Sequence, residues 1–168
     1  INANDVACSG GKPLWFMATL LLPQSYTSNQ VRSIFSQITE ACTTLGVTLV
    51  GGHTEVTFGL QHPIVVGCML GEVKKDEIIT TSGAKVGDSI VVTKGISIEG
   101  SAILAREHSQ SLITHGLDKS LIHRVSQFLH TPGISVVKDA RIARSVSTVH
   151  SLHDPTEGGL ATGLQEVS

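Results

Sequence analysis

The segment Pro13–Leu22, PLWFMATLLL, is mostly apolar and is bounded by Pro13 and Pro23. Its length and aromatic content favour a strand buried in a sheet over a helix. From Thr27 the period changes. Val31, Ile34, Phe35, Ile38, Ala41, Cys42 and Leu45 recur at three- and four-residue steps, which places them on one face of a helix. Thr27 with Gln30 matches a capping box, and Gly46 supplies the C-terminal stop. Val47–Val50 then reads as a short strand ending in Gly51-Gly52. Pro63–Val73 reads as a further strand, and Lys74–Glu77 as a polar turn. This order predicts an α/β or α+β chain with antiparallel sheet in its first part.

A second unit begins near Ser82, where Gly83, Gly87 and Asp88 supply turn chemistry before a strand at Ser89–Thr93. A helix is expected from about Glu99 to Ser109. Asp118 is placed to cap another, with Leu121, Ile122, Val125, Phe128 and Leu129 on its buried face. Pro132-Gly133 ends that helix, and Ser135–Val146 returns to helical spacing. Val149–Leu152 reads as a strand, followed by the segment His153–Gly159 and a last helix. The two domains are drawn at 1–82 and 83–168.

Bulk properties exclude several function classes. The 168 residues are 40% hydrophobic and carry a formal net charge of -2, so there is no basic footprint for a nucleic acid. Cys8, Cys42 and Cys68 are odd in number and form no CxxC pair, which argues against a zinc site or a disulfide framework and fits a reducing compartment. No apolar run approaches the roughly 20 residues that span a bilayer, and no secretory signal is visible. A cytoplasmic protein without membrane partners is expected. The chain starts at Ile1 and stops about two turns into its last helix, so it is expected to be an internal portion of a longer protein.

Three segments carry chemical groups beside glycines. In Asn2-Ala3-Asn4-Asp5, with Gly10-Gly11 close behind, a carboxylate beside an amide has the oxygen donors that Mg²⁺ takes while bridging nucleotide phosphates. The same residues serve equally as an Asx-rich turn or a helix cap. In Gly51-Gly52-His53-Thr54-Glu55, glycines let backbone N–H groups approach an anion, and the next three residues offer a proton carrier, a hydroxyl and a carboxylate. A tight turn with solvated side chains accounts for that pattern as well. In His153-Asp154-Pro155-Thr156-Glu157-Gly158-Gly159, a helix N-terminus presents unpaired N–H groups to phosphate. Asp154 or Thr156 is equally an ordinary cap, and the glycine pair marks a close backbone approach to a ligand or to a packed element. Lys94–Gly100 lacks the Gly-Lys-Ser/Thr end of a P-loop. The remaining histidines share no ligand spacing and read as surface or packing residues.

The order of these segments is specific. Asn4-Asp5-Val6-Ala7-Cys8-Ser9-Gly10-Gly11-Lys12-Pro13-Leu14 resembles the N-D-x-A-x-x-G-A-x-P-L segment of the aminoimidazole-ribonucleotide-synthetase-like (PurM-like) superfamily. Gly51-Gly52-His53-Thr54 resembles its G-G-[DEH]-T loop. Gly83–Asp88 through Gly100–Leu104 is similar to the G-x-x-G-D…G-x-A-I-L stretch that opens its second domain. Asp154–Leu160 is similar to D-P-T-R-G-G-L, the form of the HypE-like, hydrogenase-maturation members. Together the matches span nearly the whole chain.

The resemblance implies a two-domain PurM-like subunit whose first domain pairs with its twin in a homodimer, with ATP and Mg²⁺ near that interface. It implies activation of a carboxamide or oxyanion oxygen by phosphoryl transfer, on a small molecule or a protein tail. On this reading Asp5 is the metal or nucleotide ligand, and Asn4 orients it. Gly51, Gly52 and Thr54 lie near the phosphates with His53 and Glu55, while Asp154, Thr156, Gly158 and Gly159 shape the acceptor side. His53, Glu55 and Asp154 are the catalytic candidates. The chain departs from the pattern at Glu157, where the HypE-like form has Arg, and at His53, where it has Asp. The full-length protein is expected to be an ATP-dependent enzyme, and this portion to be inactive alone. Selenophosphate or aminoimidazole ribonucleotide synthesis and a non-catalytic nucleotide-binding scaffold are the alternatives.

Overall fold

The computed structural model describes residues 1–168, which divide into a unit Asn2–Ile78 and a unit Ile79–Ser168 that also takes in Ile1. The first contains α1 (Asn2–Cys8), β1 (Lys12–Pro23), α2 (Ser28–Leu45), β2 (Thr48–Thr57) and β3 (Ile64–Glu72). Its sheet runs in the order β2-β1-β3. The apolar run is therefore the central strand, bonded on both edges. β1 pairs with β2 in parallel and with β3 antiparallel, so the sheet is mixed. A whole helix separates β1 from β2, enough chain for a parallel crossover, whereas an antiparallel return needs only a short turn.

Alternation along β1 sends Ala18, Leu20 and Leu22 to one side, where all three are buried. Val31, Ile34 and Ile38 of α2 pack against them, together with Phe16, Tyr26 and Leu49. Burying a side chain such as Leu20 is worth about 2 kcal/mol. The helix begins as its sequence predicts: Thr27 and Gln30 form a reciprocal capping box, and Gly46 ends α2 in the left-handed conformation. The other side of the sheet is open. Trp15, Met17, Ile64, Val66 and Leu70 share that face by register, and each is exposed by more than a third.

The second unit is helical: α3 (Ile98–Glu107), α4 (Ser109–Thr114), α5 (Lys119–Ser126), α6 (Val137–Val146) and α7 (Gly159–Glu166). Ala102, Ala105, Ile122 and Ala140 are its buried apolar residues. Asp118 caps α5 by accepting from the Ser120 and Leu121 amides at 2.8 and 3.1 Å. Of the face assigned to that helix only Ile122 is fully buried; Leu121 and Val125 line an open apolar recess of about 180 Å³. The strands expected at Ser89–Thr93 and Val149–Leu152 do not form. A β-branched run becomes a strand only when a neighbouring edge accepts its hydrogen bonds. Here the run has none, and Ile90 and Val91 are exposed.

Side-chain ties organise these irregular stretches instead. Lys94 reaches the carbonyls of Gly133 and Ser135 and pairs with Asp139 at 3.3 Å, joining the segment before α3 to the start of α6. His150 Nδ1 lies 2.9 Å from both carboxylate oxygens of Asp88, and Ser151 Oγ donates to the Thr81 carbonyl at 3.2 Å. The Lys85 amide also donates to Asp88, and this bond, followed by that of His150, holds the carboxyl below its ordinary range. A carboxyl more acidic folded than unfolded stabilises the fold above the carboxylate range and loses that effect as pH falls through it. Asp88→Asn is thus expected to melt below the parent protein at pH 7. Below about pH 3 the two should converge in thermal unfolding followed by circular dichroism. A gap unchanged at that pH would rule out the carboxylate as its cause.

Candidate functional site

The first predicted segment is a helix, not a loop. α1 places Ala3, Asn4 and Ala7 inward, with Asn4 at 5% exposure, while Asp5 faces solvent. The Asn2 side chain donates to the Gly67 carbonyl at 3.5 Å. A Cβ on Gly67 would lie 2.6 Å from the Phe16 ring and closer still to the Asn2 amide, so the missing side chain gives α1 its seat on β3. Gly67 pairs with Ala18. Helix α1 therefore lies on the face that α2 also covers.

The second segment lies within a strand. β2 continues through Gly51 and Gly52 to Thr57 in place of the expected loop, and Val50 bulges from the parallel ladder where the register shifts between Phe16 and Met17. Gly52 has φ 146°, and a Cβ there would fall inside the Ala18 carbonyl group. Its role in this geometry is to let two backbones meet. Gly51 has open space around it. Beyond the bulge, Thr19 pairs with His53, Leu20 with Thr54 and Leu21 with Glu55. His53 and Glu55 thus share the open face, their charged ends 3.6 Å apart and both well exposed, and Thr54 points to the other side.

Asp5 and the His53–Glu55 pair accordingly sit on opposite faces of one sheet. No three His, Cys, Asp or Glu side chains converge as a metal site in this chain. Asp5 supplies one carboxylate, which suits a Mg²⁺ held chiefly by phosphate and water rather than by a protein cage.

In the third segment the caps are not those expected. Gly158, at φ 69°, is the N-cap of α7, so the cap position itself has no side chain to bond the first N–H groups of that helix. The Thr156 hydroxyl turns back to donate to the Asp154 carbonyl at 3.0 Å. The close approach marked by the glycine pair is to the helix itself: a Cβ on Gly158 would stand 2.7 Å from Thr162 Cβ, whereas Gly159 has open space. Glu157 is exposed. Sequence reasoning passed over His153, whose Nε2 bonds to Glu166 and whose Nδ1 lies 4.0 Å from Asp154. The histidine-acid spacing of thirteen residues carries no signal until the loop folds back.

The two glycines of β2 separate in a simple test. Gly52→Ala is expected to cost about 3 kcal/mol in urea unfolding, through backbone strain and a clash in the ladder. Gly51→Ala should stay within about 0.5 kcal/mol. Equal effects would remove the close approach to Ala18 as the reason for Gly52.

Comparison with known proteins agrees with this architecture. The chain is 31% identical over 169 residues to carbamoyl dehydratase HypE of Cupriavidus necator, covering 98% of this chain and 44% of that protein. It is 26% identical to the thiamine-monophosphate kinase of Bacillus subtilis, covering 100% of this chain and 49% of that one. The crystal structure of E. coli HypE, a hydrogenase maturation protein, superposes with a TM-score of 0.77 at 19% identity, over 99% of this chain and 48% of that one. A HypE structure in complex with ATP superposes with a TM-score of 0.74 at 21% identity, over 99% and 47% of the two chains. The chain thus spans about half the length of the curated relatives it matches. Residues 1–73 match the N-terminal domain of AIR synthase related proteins and residues 85–168 match the C-terminal domain, so the chain belongs to the AIR synthase related family.

Proposed function

We propose that the intact protein is an ATP-dependent, HypE-like enzyme of hydrogenase maturation, activating a carboxamide oxygen by phosphoryl transfer. The observation that carries this reading is the similarity to carbamoyl dehydratase HypE across 98% of the chain, at 31% identity. The structural likeness to a HypE bound to ATP supports the fold that such chemistry needs. Phosphoryl transfer asks little covalent chemistry of a protein beyond positioning and charge neutralisation. Exposed carboxylates beside a rigid sheet suit the positioning, and a Mg²⁺ ion held by Asp5 would neutralise the phosphoryl charge.

On this reading Asp5 contacts Mg²⁺ or the nucleotide, and Asn4, buried in α1, holds the helix that presents it. His53 and Glu55 act from the open face, and Asp154 acts from the loop before α7. Gly51 and Gly52 lead into that pair, Thr54 stands on the Asp5 side of the sheet, and Thr156, Gly158 and Gly159 shape the acceptor loop. When bound, Mg-ATP supplies the phosphoryl group. The protein's own residues orient the acceptor and offset charge.

A second reading within the family keeps the ATP chemistry and changes the acceptor. Its support is the similarity to a thiamine-monophosphate kinase over the whole chain. Turnover with a carboxamide acceptor, as against one with a phosphate monoester, separates the two.

We place the protein in the cytoplasm as a homodimer. No helix is long and apolar enough to cross a membrane. The open face of the sheet, with Trp15, Met17, Val66 and Leu70, is an apolar surface that a second copy covers by symmetry.

Two measurements test these roles. Isothermal titration of the intact protein with Mg-ATP should show affinity at least about tenfold weaker, or about 1.4 kcal/mol, in Asp5→Ala. Unchanged affinity would remove Asp5 as a ligand. Val66→Asp should shift the intact protein from dimer to monomer in sedimentation velocity, whereas an unchanged sedimentation coefficient would move the interface elsewhere.

A further inference from the structure

The segment before α7 runs back along the helix it precedes. His153 bonds through Nε2 to Glu166 in the last turn. Pro155 packs on Gly163, where an added Cβ would stand 2.6 Å from the proline ring, and Gly158 packs on Thr162. Thr162, Gly163 and Glu166 fall within about 100° of arc on a helix of 3.6 residues per turn. One face of α7 thus carries the whole loop, and its contacts run in reverse order along the sequence. Two of the three are contacts of small or apolar groups, which resist compression but do not fix a position along the axis. The His153–Glu166 bond is charge-assisted and directional. It is also the contact next to Asp154, whose side chain is 14% exposed and whose Oδ1 lies 4.0 Å from His153 Nδ1.

We propose that His153 is a positioning residue: anchored by Glu166, it locks the Asp154–Gly158 loop onto α7 and sets where the Asp154 carboxylate stands. The carboxylate of Glu166 is an acceptor only, so Nε2–H is the donor and the ring's orientation follows from that bond. The other nitrogen is then turned toward Asp154. Glu166 is 52% exposed and His153 25%, so the anchor lies at the surface and the locked carboxylate beneath it. Asp154's part in the chemistry rests on the function proposed above. The lock itself does not.

Hydrogen–deuterium exchange on the intact protein tests the lock, and steady-state turnover tests what it serves. His153→Ala and Glu166→Ala are expected to raise amide exchange at residues 156–160 about tenfold, the scale of a lost charge-assisted hydrogen bond. His153→Gln can still place a side-chain N–H on Glu166, so it should restore slow exchange. Glu166→Gln keeps an acceptor and should fall between. If an alanine variant does not fold, the glutamine variants decide, through slower exchange in His153→Gln than in the double variant with Glu166→Gln. Parental exchange in both alanine variants, or no rescue by His153→Gln, overturns the proposal. Where exchange rises, kcat for ATP turnover should fall at least about tenfold with KM for Mg-ATP near the parental value, and His153→Gln should recover kcat. Raised exchange with unchanged kcat supports the lock and overturns the assignment of Asp154 to the chemistry.

Discussion

Strand β1 is bonded along both edges, and the rest of the Asn2–Ile78 unit takes its place from those two ladders. Its even positions bury Ala18, Leu20 and Leu22 against α2, so a one-residue slip would carry that set to the other side of the sheet. The register thereby decides which groups of the neighbouring strands share a face. His53 and Glu55 lie together on the open side because Thr19 and Leu21 do, and Thr54 lies opposite because Leu20 does. The bulge at Val50, just ahead of Gly51 and Gly52, is the point where this ladder is reset. Without it the three residues after the glycines would present the reverse pattern.

The Ile79–Ser168 unit is built on a different principle. Its small buried set, chiefly alanines and Ile122, leaves much of its backbone outside regular structure. Directional polar contacts take over the task that a sheet performs in the other unit. Lys94 holds one segment through two carbonyls and Asp139, Asp88 holds another through His150, and His153 holds a third through Glu166. Each joins residues that apolar packing alone would leave free to slide. Exposed pairs of this kind contribute little to global stability, but they fix geometry, which is what a site needs.

Much of the first unit is legible in the sequence. Thr27 and Gln30 announced the start of α2, Gly46 its end, and the mostly apolar run of β1 its central place. Misreadings arose where a local pattern fits two structures. Asn2–Asp5 has the composition of a turn, but burial of Ala3, Asn4 and Ala7 against a sheet seated by Gly67 makes it a helix. Gly51-Gly52 has the composition of a loop, but a backbone at 52 that must meet Ala18 makes it part of the strand, just after the bulge at Val50. At Ser89–Thr93 a good strand sequence lacks the edge to which it would bond.

The candidate site divides along the same line. The sequence by itself determined which chemical groups are available and in what order, because motif residues and caps act over a few positions and leave a readable spacing. It thus offered Asp5, the His53–Glu55 pair and Asp154 as candidates, and the order of the motifs pointed to the family. Only the tertiary structure decided that Asp5 and His53–Glu55 occupy opposite faces, that Gly52 serves a strand pairing, and that His153 belongs with Glu166. Those relations depend on pairing register and on a loop folding back along a helix. Both arise from contacts between residues distant in the chain or set by the loop's path, and neither leaves a period in the sequence.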